Sequence, residues 1–193
     1  VPKPGGTILL CTADREGRCV SLIQSNYTGF GSGVVIPEWG IAMQNRGACF
    51  HLEPGHPNSI APDKRPYHTI IPALSTPADA SVPASDGLMA FGIMGGFMQP
   101  QAHVQYVLRT VLHGQNPQAA LAAPRWQWMK ARELQLEPGW PAATVDGLRA
   151  RGHQVTVAAE KSVTFGRGQA IMRLDGAWCG ASDLRGDGCA AGR

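Results

Sequence analysis

At 193 residues, with 44% hydrophobic side chains, the chain is long enough to bury one core and too apolar to be disordered. A formal charge of +3 with no Lys/Arg-rich run argues against a nucleic-acid or membrane-surface partner, and no apolar run approaches the ~18 residues of a membrane span. Five cysteines without a C-x-x-C pair exclude a zinc or redox motif and a full disulfide framework, so all five are expected as free thiols.

Along the chain, the leading feature is Gly5-Gly6-Thr7-Ile8-Leu9-Leu10-Cys11, a glycine pair and a hydroxyl residue before an apolar run. Taken alone this is a turn entering a strand. If the Gly6–Thr7 bond is cut, however, the freed α-amine lies beside the hydroxyl it must deprotonate, with an ordinary pKa of about 7.7–8.0. Ile8 to Thr12, the turn Asp14-Arg15-Glu16-Gly17 and Cys19 to Gln24 predict a β-hairpin. The glycine-rich loop 26–33 lacks the Lys-Ser/Thr ending of a phosphate loop. Val34–Ile36 and Ile41–Met43 are strand-like, and Gln44 to Pro66 reads as a long loop. Its His51 and His56 do not form a metal-ligand motif, and no metal site is expected there.

Thr69–Leu74 and Leu88–Ile93 predict strands flanking an Ala/Pro/Ser-rich tip at Ser75 to Asp86. Gln101 to His113 predicts a helix whose Val104, Val107, Leu108, Val111 and Leu112 form one apolar face. A short helix follows, with Asn116 as N-cap and Pro117 at its first position. Trp126–Met129, Glu133–Glu137, Gln154–Ala158, Gln169–Leu174 and Trp178 predict strands, and Pro141–Arg151 a helix ended by Gly152. The order of strands, helices and strands predicts an α+β layering of sheets covered by helices. Three features carry chemistry: Thr7 at a strand head, Ser25 at the end of its hairpin partner, and Gly95-Gly96 between a strand and a helix. Such a glycine pair lets backbone N–H groups converge on an oxyanion.

The runs Ala13–Gly17, Val20–Asn26, Gly29–Gly33 and Gly40–Asn45 together resemble the small catalytic subunit of γ-glutamyltransferases, most nearly the cephalosporin acylase-like branch. So do Ala61–Pro66, Met94-Gly95-Gly96, Ala122–Arg125 and Gly180–Asp183. The resemblance implies an N-terminal-nucleophile hydrolase, a four-layer αββα sandwich that needs no metal or cofactor. It implies that residues 1–6 are the tail of a large subunit and 7–193 the single-domain small subunit, released by self-cleavage between Gly6 and Thr7. The large subunit would be the partner, in a heterodimer or a dimer of heterodimers, and a small-molecule amide the substrate. Thr7 would be the nucleophile, Ser25 its assistant, and Gly95 and Gly96 the oxyanion hole. Substrate contacts would fall on Tyr27, Arg46, Cys49, His68 and Thr69. The family's acid that holds a γ-glutamyl α-amine is replaced by Cys49, its Ser-Ser pair by His68-Thr69 and its loop Asn by Tyr27, while Arg46 stands at a usual Gln. These departures point to an acyl donor with a carboxylate and no α-amine, such as a glutaryl or cephalosporin-type amide. A true γ-glutamyltransferase, or an unprocessed subunit that only binds, remain alternatives, and the compartment stays open between bacterial cytoplasm and periplasm.

Overall fold

The computed structural model describes residues 6–79, 81 and 87–192. Residues 1–5, and much of the Ala/Pro/Ser-rich tip, lie outside them. The fold is α+β, as the element order predicts. Strands β1 (Thr7–Ala13) and β2 (Cys19–Ser25) form the expected antiparallel hairpin, in a register that pairs Thr7 with Ser25. Strands β3 (Val35–Ile36) and β4 (Ile41–Ala42) form a small second hairpin.

A four-stranded antiparallel sheet follows, from β5 (Ala73–Ser75), β6 (Met89–Met94), β10 (Arg167–Leu174) and β11 (Ala177–Ser182), in the order β11-β10-β6-β5. The predicted strand over Thr69–Leu74 is thus shorter and displaced. Thr69, Ile70 and Ile71 run as irregular chain, and only Ala73–Ser75 pairs with β6. All of β6 is buried because both faces are covered. The β1–β2 hairpin lies on one face, where Leu9 fills the space that Gly92 leaves and Ser21 Oγ donates to the Phe91 carbonyl at 2.8 Å. Helices α1 (Gln99–Val107) and α2 (Pro117–Ala122) cover the other face. Asn116 caps α2, its Oδ1 accepting from the Ala119 N–H at 2.8 Å, as the sequence predicts. A separate sheet of β7 (Trp126–Lys130), β8 (Glu133–Leu136) and β9 (Gln154–Val157) carries α3 (Ala142–Ala150).

The helix over 101–113 requires a correction. Helix α1 starts at Gln99, and residues 108–112 form a wider π-type turn. Its buried side is Gln99, Ala102, Gln105, Tyr106 and Thr110, whereas Val104, Leu108, Val111 (64%) and Leu112 (68%) are exposed. Ala102 and Tyr106 fit against Phe91 in the core. Gln105 hydrogen-bonds the Trp126 backbone at both its amide atoms. Polar bonding and fit to the sheet therefore set the buried side; of the apolar stripe only Val107 packs against the core, and the other four residues are left outward.

Between the sheets and α2 lies a buried ionic network. Arg125 Nη2 donates to Asp183 Oδ2 at 2.5 Å, Arg185 Nη1 to Asp183 Oδ1 at 2.9 Å, and Arg185 Nε to Glu137 Oε1 at 2.6 Å. Two cations face two carboxylates, and Asp183 also accepts from the Gly168 N–H at 3.0 Å. Removing one charge from such a set leaves another uncompensated and typically costs about 3–5 kcal/mol. Asp183→Asn should lower the unfolding free energy of the protein by that margin, read as a lower urea midpoint. An unchanged midpoint would show that the network contributes nothing to stability.

Candidate active site

The antiparallel register places Thr7 and Ser25 directly opposite each other, and both side chains point to the inward face of the hairpin. The Thr7 hydroxyl donates to Ser25 Oγ at 2.8 Å, and Ser25 Oγ also accepts from the Tyr27 N–H at 2.9 Å. Strand β6 ends at Met94, beside this pair. Gly95 follows with φ 157° and ψ 27°, and Gly96 with φ 56°. Their carbonyls accept from the N–H groups of Met98 and Gln99, which open α1. The first N–H groups of a helix have no partner within it and face outward from its start.

Thr7, Ser25, Gly95 and Gly96 share one cavity of about 310 Å³. Tyr27, Thr28, Thr69, Met94, Gln99, Val163, Thr164 and Arg167 complete its wall. Gly6, the residue before Thr7, lies against the Gly29 carbonyl: a Cβ there would sit 3.1 Å from that oxygen.

Of the five residues expected to contact substrate, Tyr27 and Thr69 line this cavity, and Arg46, Cys49 and His68 do not. Arg46 is 4% exposed. Its Nη1 donates to Thr69 Oγ1 at 2.6 Å and its Nη2 to the Ser25 carbonyl at 3.3 Å, and its guanidinium lies 5.3 Å from the Tyr27 ring centre. Burial pulls its pKa below the ordinary guanidinium value, against the opposing influence of Cys49 and Tyr27. Cys49 joins the same group: its thiol beside Tyr27, with burial, raises the phenol's pKa. His68 accepts from the Ile70 N–H through Nδ1 at 3.0 Å. Tyr27, Arg46, Cys49 and Thr69 thus form one cluster behind Ser25.

Sequence reasoning missed Gln99, Thr164 and Arg167. The available signal for Arg167 was its setting, Gly166-Arg167-Gly168, a cation between two glycines at the start of a strand. All five cysteines are free, as expected. His51 and His56 stack on each other at 3.8 Å. No helix among the described residues is long and apolar enough to cross a membrane.

The family model described as Gamma-glutamyltranspeptidase matches residues 1–193. The chain belongs to the γ-glutamyltranspeptidase family. It is 41% identical to the oxamate amidohydrolase proenzyme of Klebsiella pneumoniae, over 98% of this chain and 36% of that protein. It is 31% identical to the Acylase ACY 1 proenzyme of Pseudomonas sp. (strain SE83), over 94% of this chain and 31% of that protein. Among solved structures, the cephalosporin acylase from Bacillus halodurans superposes with a TM-score of 0.84 and 49% identity, covering 95% of this chain and 33% of that one. The chain therefore spans about a third of the length of these members of the γ-glutamyltranspeptidase family, which matches the resemblance read from its motifs.

Proposed function

We propose that this chain is the catalytic part of a self-processing amide hydrolase or acyltransferase, with Thr7 as its nucleophile. The observation that carries the reading is the Thr7–Ser25 hydroxyl pair, opening onto the same cavity as Gly95 and Gly96. In the precursor, Thr7 Oγ1 attacks the Gly6 carbonyl, and the chain passes from nitrogen to oxygen as an ester. Water then cleaves that ester, releasing a Gly6 carboxylate and a free α-amine on Thr7. In the mature enzyme this amine takes the hydroxyl proton as Oγ1 attacks a substrate amide. Ser25 orients the hydroxyl, and the N–H groups of Gly95 and Gly96 hold the oxyanion. The amine proton passes to the leaving group, and water or an acceptor amine then takes the acyl group from Thr7.

The remainder of the precursor acts as the large subunit. Its place is the outer face of the β1–β2 hairpin, where Ile8, Leu10, Val20 and Leu22 are exposed, and the apolar stripe of α1. A helical layer over that hairpin face would complete a four-layer αββα sandwich, since this chain supplies hairpin, sheet and one helical layer. Residues 1–6 belong on this reading to the large subunit's end.

The donor is an amide whose acyl group bears a carboxylate and no α-amine. Supporting this, no acidic side chain among the described residues lines the cavity, so an α-ammonium group finds no carboxylate partner among them. Loss of such a partner typically costs 2–5 kcal/mol. The mature enzyme should therefore turn over a glutaryl anilide with kcat/KM roughly 30-fold or more above the γ-glutamyl anilide. Faster turnover of the γ-glutamyl compound would make it a true γ-glutamyltransferase. That reading is favoured by its 34% identity to the glutathione hydrolase-like YwrD proenzyme of Bacillus subtilis.

A further inference from the structure

Among the described residues lining the cavity, Arg167 is the one charged side chain. It is the first residue of β10, and its register partner on β6 is Met94, the residue before Gly95. Both neighbours in the chain are glycines in tight places. Gly166 has φ 85°, and its Cα would lie 3.0 Å from a Cβ on Gly95; a Cβ on Gly168 would fall 2.6 Å from Leu121. The backbone at 166–168 is therefore pressed against the end of β6, which holds the start of the Arg167 side chain beside the glycine pair. Its stem lies along Gly186, where an added Cβ would meet Cδ at 2.9 Å.

The guanidinium differs from those of the enclosed arginines. Arg46 is spent on Thr69 and Ser25, Arg125 and Arg185 on the Asp183–Glu137 network, and Arg109 on the Pro124 carbonyl. Arg167 has no hydrogen-bond or ion-pair partner among the described residues. An arginine that lines the cavity and whose planar guanidinium has free donors is suited to bind a carboxylate through two parallel hydrogen bonds.

We infer that Arg167 receives the carboxylate of the acyl donor and sets the preference for anionic over neutral acyl groups. The inference rests on the proposed Thr7 chemistry and names the residue behind its donor class; Arg46, enclosed behind Ser25, supports the wall rather than meeting the substrate.

The test uses the full precursor, expressed and allowed to process. Glutaryl and pentanoyl anilides share a five-carbon chain and differ only in the terminal carboxylate. In the wild type the glutaryl compound should have the higher kcat/KM. In Arg167→Gln the ratio of the two should fall about 30-fold or more. Arg167→Lys, which keeps the charge but not the fork, should retain an intermediate ratio, and its processing into subunits reports that the fold survives. Loss of both substrates by the same factor in Arg167→Gln would overturn the inference, since the residue would then serve the oxyanion or the fold. A direct binding titration with glutarate separates the two layers of argument. If no anilide is hydrolysed but glutarate binds wild type and is lost in Arg167→Gln, the Thr7 reading fails and the Arg167 assignment stands. Equal glutarate binding by wild type and Arg167→Gln would overturn the assignment whatever the turnover.

Discussion

Thr7→Ala should leave the precursor as one uncut chain without measurable amidase activity. The expected loss in kcat is about 10⁴-fold or more, the scale on which removing a catalytic nucleophile acts. Two separate steps fail together. Without Oγ1 there is no attack on the Gly6 carbonyl, so no free α-amine forms; without the amine and the hydroxyl, no substrate amide is attacked. Thr7→Ser keeps the oxygen and should retain part of both steps. The methyl group that distinguishes them restricts χ1, and its loss loosens the rotamer that reaches Ser25. In the mature wild type, kcat/KM should rise with pH through about 7.7–8.0, because only the unprotonated α-amine accepts the hydroxyl proton. Intact-mass measurement of the precursor and a pH–rate profile check both parts. A cleaved and active Thr7→Ala protein would sink the proposal.

The hairpin was readable from sequence because a period-2 pattern and a compact polar turn determine both strands and register. Once Ala13 pairs with Cys19, counting back along the ladder brings Thr7 opposite Ser25. The Gly95-Gly96 break was equally plain, lying between a buried strand and a helix start. What failed has a common physical cause. The apolar stripe Val104, Val107, Leu108, Val111 and Leu112 has the correct spacing for a core-facing helix, yet only Val107 meets the core, because periodicity tells that a stripe is covered and not by what. In a chain that spans about a third of the length of its relatives, the cover can come from outside it. The resemblance places Arg46 at a substrate contact, a cation where the family usually has Gln. Thr69 and the Ser25 carbonyl, distant in sequence, draw it inward instead. Glu137, Arg125, Asp183 and Arg185 likewise look like surface charges until the fold brings them together.

Gly95→Ala should lower kcat by about 10²–10³-fold, the range observed when one oxyanion donor is lost, while Gly96→Ala should cost less than about tenfold. The two glycines look alike in sequence and differ in their surroundings. At Gly95 the backbone combination of φ 157° and ψ 27° is open in practice only to glycine. An added Cβ would also stand 3.0 Å from the Gly166 Cα and 3.4 Å from the Met98 Cβ. Gly166 has no room to retreat. Its own φ is 85°, Ile93 and the Met94 carbonyl close in behind it, and Arg125 Nη1 holds its carbonyl at 2.8 Å and that of Phe165 at 3.0 Å. Arg125 is in turn locked to Asp183. Strain at Gly95 is therefore relieved only by turning the peptides around residues 94–96, the ones whose N–H groups the mechanism needs. At Gly96 the φ of 56° is a mild left-handed value, and no atom lies within 4 Å of an added Cβ. Its substitution costs about 1–2 kcal/mol of backbone strain and displaces no neighbour. Steady-state kinetics on the two processed variants decide the matter, with KM little changed in either. Full kcat in Gly95→Ala would show that its backbone takes no part in holding the oxyanion.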